Sequence, residues 1–351
     1  MDIRMLQSGE LKEAARLADR TFRDESQPSM AVSFPYIFSE AVQPFSFGAF
    51  DQGKLVSFFG FVPWTVRVGE ARLRAFFVGS VCTDPAYRGQ GIASRILERI
   101  VAFADEAGAS LIFVSGSRSL YVRAHCYPFG RFRRYRLDGE TAARLKRQPD
   151  ADGYAVREAG PADLFAIHAL SAARTVRFEA DVNGLGALLK AQAVPSIMKG
   201  EQRVYVAEAG KEVRAFAVVA AGAERTAVLE WAGDPAATAV LAADCALGIG
   251  GGAALELAVP GADLELRRRL EDAGAEAREE NNEGTVRIVR LERLLEQLRP
   301  WLGERTLPAE GLTPEQLTAL CFDRAAGGHD CPERTNWEPV PLPYTGGLYF
   351  I

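Results

Sequence analysis

The residues best suited to chemistry in this chain are concentrated in one short run, Arg88-Gly89-Gln90-Gly91-Ile92-Ala93. The two glycines let a ligand approach the backbone closely. A helix opening at Gly91 presents N–H groups with no partner inside the helix, at the positive end of its dipole. The Arg88 guanidinium adds a fixed charge and several donors for phosphate oxygens. These residue types at this spacing suit an anion, and a pyrophosphate in particular. The glycines alone would equally fit an ordinary strand-to-helix connection that only turns the chain.

The flanking pattern places this run. Phe76–Thr83 reads as a strand and Asp84-Pro85 as a turn. After Gly91 the apolar residues fall at Ile92, Ile96 and Ile100 and at Ala93, Leu97, Val101 and Ala104. That spacing is one buried helical stripe, with Arg95, Glu98, Arg99 and Asp105 outside it. Gly108 supplies a stop, and Leu111–Val114 reads as a buried strand. The unit is strand, glycine loop, helix, strand.

A diverged repeat organises the rest. Ile3–Met5 and a helix over Leu11–Phe22 correspond to Tyr154–Arg157 and Pro161–Ala173. A hairpin follows in each half, turning at Asp51-Gln52-Gly53-Lys54 and at Gly210-Lys211-Glu212. Val81-Cys82-Thr83-Asp84-Pro85 is then matched by Trp231-Ala232-Gly233-Asp234-Pro235. The second copy continues Ala236-Ala237-Thr238-Ala239-Val240, without glycines or an arginine. From Leu291 the texture changes. Leu291, Leu294, Leu295 and Leu298 have helical spacing, and Thr313-Pro314-Glu315 opens a second short helix. Pro332, Pro339, Pro341 and Pro343 then force an extended tail, whose apolar end (Leu348, Tyr349, Phe350, Ile351) is expected to dock. The expected fold class is α/β, with domains at 1–150 and 151–290 and a C-terminal extension at 291–351.

The net charge is −5, but residues 1–150 carry +5 and the remainder −10. The half with the glycine loop is therefore the basic one. This suits a small polyanion and is too weak an asymmetry for nucleic acid. No apolar run reaches membrane-spanning length and the N-terminus has no signal-peptide core, so a cytoplasmic protein is expected. Cys82, Cys126, Cys245, Cys321 and Cys331 form no C-x-x-C pair, and His329 with Cys331 is too few ligands, so neither disulfides nor a metal is expected.

Val81, Thr83, Pro85, Tyr87, Arg88, Gly91 and Ala93 stand in the register of the acetyl-CoA motif, V-x-T-x-P, aromatic, R-x-x-G-x-G/A. The segment thus resembles the GNAT acyltransferase superfamily. The order of domains resembles its Eis-type branch, in which a GNAT domain, a second GNAT-like domain without the loop and a sterol-carrier-like domain follow one another. The resemblance implies two tandem GNAT-like mixed-sheet domains and a short C-terminal extension, a reduced counterpart of the sterol-carrier-like element. It implies transfer of acetyl from acetyl-CoA to a primary amine, on a small molecule or a peptide, by direct attack. Val81, Cys82 and Thr83 would pair with the pantetheine arm through their backbone. Arg88, Gly89, Gln90, Gly91, Ile92 and Ala93 would cradle the pyrophosphate. Tyr121 would be the acid, with Tyr127 as alternative in the loosely matched stretch Tyr121, Arg123, Cys126-Tyr127. In this branch a terminal main-chain carboxylate serves as base, which points to Ile351, with His125 as alternative. A non-catalytic acyl-CoA-binding module is the rival reading, and nothing argues against a homo-oligomer.

Three further signals are set against these. Gly248-Ile249-Gly250-Gly251-Gly252-Ala253 matches G-x-G-x-x-A but follows a helix and precedes a strand, the reverse of a dinucleotide site. Arg131, Arg133, Arg134 and Arg136 read as a solvated strand face, the minority reading being an arginine on the 3′-phosphate of CoA. No G-x-S-x-G pattern supports hydrolase chemistry.

Overall fold

The computed structural model describes residues 1–40, 44–248, 254–323 and 337–351. Its strands in chain order are β1 (Asp2–Met5), β2 (Phe47–Asp51), β3 (Lys54–Val68), β4 (Ala71–Thr83), β5 (Leu111–Val114), β6 (Arg131–Leu137), β7 (Ala155–Glu158), β8 (Val176–Glu179), β9 (Glu201–Ala209), β10 (Glu212–Ala221), β11 (Thr226–Gly233), β12 (Leu255–Pro260), β13 (Glu276–Asn281) and β14 (Thr285–Ile288). They form two mixed sheets, and the fold is α/β as expected. The chain divides into two compact units. The first comprises Met1–Gly130, Asn282–Pro343 and Ile351, the second Arg131–Asn281 and Tyr344–Phe350.

In the first unit the strands lie in the order β1-β2-β3-β4-β5-β14. The β2–β3 hairpin closes through Gln52 and Gly53, both at positive φ, which matches the twist of paired strands. Phe47, Phe59, Phe61, Phe76 and Val78 bury one face of the sheet against Ile92, Ile96 and Ile100. The helices of this unit begin with α1 (Leu11–Phe22), α2 (Met30–Ser33), α3 (Pro35–Phe38), α4 (Ile92–Glu106) and α5 (Ser119–Arg123). Helix α1 buries Leu11, Ala14, Ala15, Leu17 and Ala18, a single stripe at helical spacing.

The unit boundaries depart from those expected at 150 and 290. Strand β6 is hydrogen-bonded between β12 and β13, so Arg131–Leu137 belongs to the second sheet, whose order is β13-β6-β12-β11-β10-β9-β7. Strand β14 pairs antiparallel with β5, so residues beyond the second sheet return to complete the first. The helix Leu291–Leu302 also belongs to the first unit. Its Gln297 Oε1 accepts from Arg74 N at 2.8 Å, Gln297 Nε2 donates to Gly108 O at 3.1 Å, and Arg293 donates to Asp105 at 3.0 Å. A helix opens at Pro314 behind a Thr313–Gln316 capping box, as the sequence implied. Residues 291–351 contain no strand among the described residues.

Candidate active site

Strands β4 and β5 run parallel, and their pairing ends at Val78↔Val114. Ser115 N still donates to Val78 O at 3.0 Å. Beyond that point, among the described residues, β4 keeps a strand partner only on the β3 side, where a bulge falls at Ser80 and Val81. Ser80 sits at φ +51, and its buried hydroxyl makes no hydrogen bond to the described residues. A bulge bends the strand that carries it, and because β5 ends at Val114 while β4 runs on to Thr83, a wedge is left open beside the end of β4. The β5-facing backbone of Val81–Thr83 lines that wedge without a strand partner among the described residues. Cys82 points its thiol into the protein, where burial pushes it up to about 12, so only its backbone is open to a ligand.

The loop follows directly. Asp84 Oδ1 accepts from Ala86 N at 3.1 Å, and Arg88 Nε donates to Thr83 O at 3.2 Å, which folds the run back onto the strand end. Tyr87 OH donates to Asp51 at 3.0 Å and anchors the turn to the β2–β3 hairpin. Gly89 and Gly91 stand at φ +75 and +71, the left-handed region that side chains disfavour. A Cβ built on either would meet nothing within 4 Å. Gly91 is the N-cap of α4 and supplies no side-chain acceptor, so the first N–H groups of a 15-residue helix are left for an outside acceptor. Arg88, Gln90 and Gly91 are exposed.

The second unit repeats the strand and turn but closes the helix end. Asp234 Oδ1 accepts from both Ala236 N and Ala237 N at 3.0 Å, at the start of the helix Pro235–Gly248. The donors that α4 leaves open are here satisfied by the aspartate itself. Gly248 ends this helix, and the rest of the Gly248–Ala253 motif lies outside the described residues. So do His329 and Cys331. Among the described residues there is no group of three or more metal-type ligands, and no helix is long and apolar enough to cross a membrane.

Tyr121 lies on α5 with its ring against Gly116, 3.1 Å from where a Cβ there would stand, two residues past the end of the β4–β5 pairing. Burial raises its hydroxyl to about 12, which keeps it protonated at neutral pH. Ile351 is buried in the same unit, and its main-chain carbonyl oxygen would overlap any Cβ on Gly79. The lack of a side chain at Gly79 is what admits it. Tyr121 thus packs beside the end of β5, with Phe76 and Val78, and Ile351 lies against β4 at Gly79. Tyr127 and His125 pair with one another, OH to Nδ1, at 3.2 Å, and His125 stands exposed on a groove between α4 and α5.

The arginines of β6 lie in the second unit. Arg131 pairs with Glu279, Arg133 with Glu271 and Arg134 with Glu280, all within the second unit. Three of the four arginines are thus engaged by carboxylates of the strand Glu276–Asn281 and of Glu271, as a solvated strand face would be. Sequence reasoning had no signal for this, since the alternation of Arg131–Leu137 is the same whichever sheet receives it.

Residues 2–127 match a family model described as an acetyltransferase (GNAT) domain. No curated protein matches the chain in sequence. Among solved structures, a probable N-acyltransferase from Enterococcus faecalis is similar at a TM-score of 0.67 and 16% identity, over 84% of this chain and 74% of that one. A GCN5-related N-acetyltransferase from Anabaena variabilis gives 0.65 at 12% identity, over 84% and 74%. Eis1 from Mycobacterium abscessus gives 0.59 at 19% identity, over 85% and 76%. At these identities the likeness is one of fold, and it extends through both units.

Proposed function

We propose that this chain, whose residues 2–127 carry a GNAT acetyltransferase domain within an Eis-like tandem fold, transfers acetyl from acetyl-CoA to a primary amine by direct attack. The observation that carries the reading is the uncapped start of α4 behind two left-handed glycines, set where β4 parts from β5. Acetyl-CoA, when bound, supplies the acyl thioester. Val81–Thr83 would hold its pantetheine arm as a neighbouring strand would be held. Arg88 and the backbone of Gly89–Ala93 would hold the pyrophosphate.

In this reading Tyr121 protonates the departing thiolate, a role its high pKa suits. The main-chain carboxylate of Ile351 takes the proton of the attacking ammonium. Its place against Gly79 supports the assignment, as does the absence of a carboxylate side chain on Ala75–Val81. The second unit binds no CoA, because Asp234 already occupies the N–H groups a phosphate would need.

The test is thiol release from acetyl-CoA with a panel of polyamines, aminoglycosides, amino acids and lysine peptides. Turnover with at least one amine supports the reading. Tight binding of one acetyl-CoA per chain without turnover on any amine would favour the non-catalytic module. Adding one glycine after Ile351 keeps every side chain and displaces the carboxylate, so turnover should fall about 100-fold if it is the base, with CoA affinity unchanged. Full activity in the extended protein would sink that assignment.

A further inference from the structure

Ser80 carries two costs at one position. Its backbone stands at φ +51, the left-handed region that a side chain disfavours, and its buried hydroxyl has no hydrogen-bond partner among the described residues. The residue is only 8% exposed. The other buried serines of the first unit are each satisfied. Ser33 donates to Ser29 O, Ser57 to Cys82 O and Ser110 to Arg74 O, and Ser46 accepts from Phe61 N. Glycine in place of Ser80 would relieve both costs. A strained residue with an unused buried donor points to a ligand that completes it.

The position of Ser80 along β4 indicates which part of a ligand it would meet. Arg88 and Gly89–Ala93 would hold the pyrophosphate and Val81–Thr83 the pantetheine arm, so the acyl donor would run back along β4 toward its earlier residues. The next residue in that direction is Ser80, two beyond Val78, where the pairing with β5 ends. Its other neighbour, Gly79, has the main-chain oxygen of Ile351 against it. The acyl end of the donor would therefore arrive at Ser80. A thioester offers one good acceptor, its carbonyl oxygen. Tyr121 and Ile351 account for the protons of the transfer and leave that oxygen, where negative charge develops, without a donor.

We propose that the Ser80 hydroxyl donates a hydrogen bond to the thioester carbonyl oxygen and stabilises the charge that gathers there during acyl transfer. The inference rests on the acyl-CoA reading and adds a catalytic residue to it. Ile351 takes one proton from the ammonium, and the freed nitrogen bonds to the carbonyl carbon as the π pair moves onto the oxygen. That pair returns as the C–S bond breaks. The thiolate takes the Tyr121 proton, and the second proton of the nitrogen restores the phenol. Ser80 keeps its own proton throughout, and its hydrogen bond is strongest while the oxygen is charged.

The test is calorimetric titration of acetyl-CoA and of CoA into the wild-type chain, Ser80→Gly and Ser80→Ala. CoA shares every group with acetyl-CoA except the acyl. Both variants should bind acetyl-CoA about threefold to tenfold more weakly than wild type, the range of one hydrogen bond, with CoA affinity unchanged. Their kcat with any amine that the wild type acetylates should fall about 100-fold. The two substitutions act oppositely on the backbone, since Gly relieves the positive φ and Ala retains it. A shared effect on acetyl-CoA therefore traces to the hydroxyl. Ser80→Gly should melt close to the wild-type temperature, and it decides the matter if Ser80→Ala fails to fold. Wild-type affinity for acetyl-CoA in the variants, or equal weakening of acetyl-CoA and CoA, would overturn the role of Ser80 while leaving the acyl-CoA reading intact. Failure of the wild type to bind either ligand would instead overturn the acyl-CoA reading, and the role of Ser80 with it.

Discussion

A methyl group added at Gly91 would touch nothing in the protein, yet the backbone there stands at φ +71. Two costs are therefore separable. Gly91→Ala should lower stability by about 1 kcal/mol from the left-handed conformation, measured by thermal melting. Gly91→Val places a branched side chain where phosphate would approach, and should abolish acetyl-CoA binding in protein that still melts cooperatively. Unchanged affinity in folded Gly91→Val would remove the pyrophosphate assignment. Tyr121 carries its own pH signature. Burial lifts its pKa from 10.0 to about 12, so the folded state holds the phenol proton more tightly than the unfolded chain does. Its contribution to stability is complete below about pH 10 and is lost as pH rises toward 12. If the phenol is the acid, turnover should show no descending limb from it below about pH 10, and Tyr121→Phe should lower kcat roughly 100-fold with acetyl-CoA affinity kept. A variant with wild-type kcat would exclude Tyr121 as the acid.

At the scale of elements, the parts written in local pattern were legible. Helix α1 occupies Leu11–Phe22, β5 occupies Leu111–Val114, and the turns at Gln52-Gly53 and after Gly108 lie where their residues placed them. The bulge at Ser80 was not, because a serine at positive φ has no distinctive sequence signal. Nor was the destination of Arg131–Leu137 or Thr285–Ile288, since strand partners across more than a hundred residues are chosen by tertiary pairing. Of the site, the loop was readable because glycines, an arginine and a helix start lie side by side. The groove between α4 and α5 was not, because Arg287 reaches it only through the pairing of β14 with β5. The docking of the helix Leu291–Leu302 was also hidden, and it makes a prediction. Asp105 is held at about 2, chiefly by its hydrogen bond with Arg290 and then by Arg293. Its folded pKa lies below the ordinary 3.8, so the stabilisation is present above about pH 4 and is lost as pH falls toward 2. Asp105→Asn should flatten the acid limb of the melting temperature over that range. An unaltered limb would show that the ion pairs contribute nothing measurable, as exposed pairs often do.

At the scale of the molecule, the first unit is discontinuous: its sheet ends in β14, and its α4–β5 corner is bound by Gln297 and Arg293. The isolated segment 1–130 contains the whole matched GNAT region apart from these supports. It should give no cooperative thermal transition by circular dichroism, because β5 would present an unpaired edge over a core built to be covered. A sharp two-state melt of that fragment would show the later residues to be dispensable. The same discontinuity sets a timetable for synthesis. When Gly130 leaves the ribosome, the strand that pairs with β5 has not been made, and Arg131–Asn281 must emerge first. At ordinary elongation rates that interval is on the order of ten to thirty seconds. For that time the nascent chain carries an open, apolar sheet edge at Leu111–Val114, and the yield of folded protein should depend on translation speed and on chaperones that shield that edge until Thr285–Ile288 arrives.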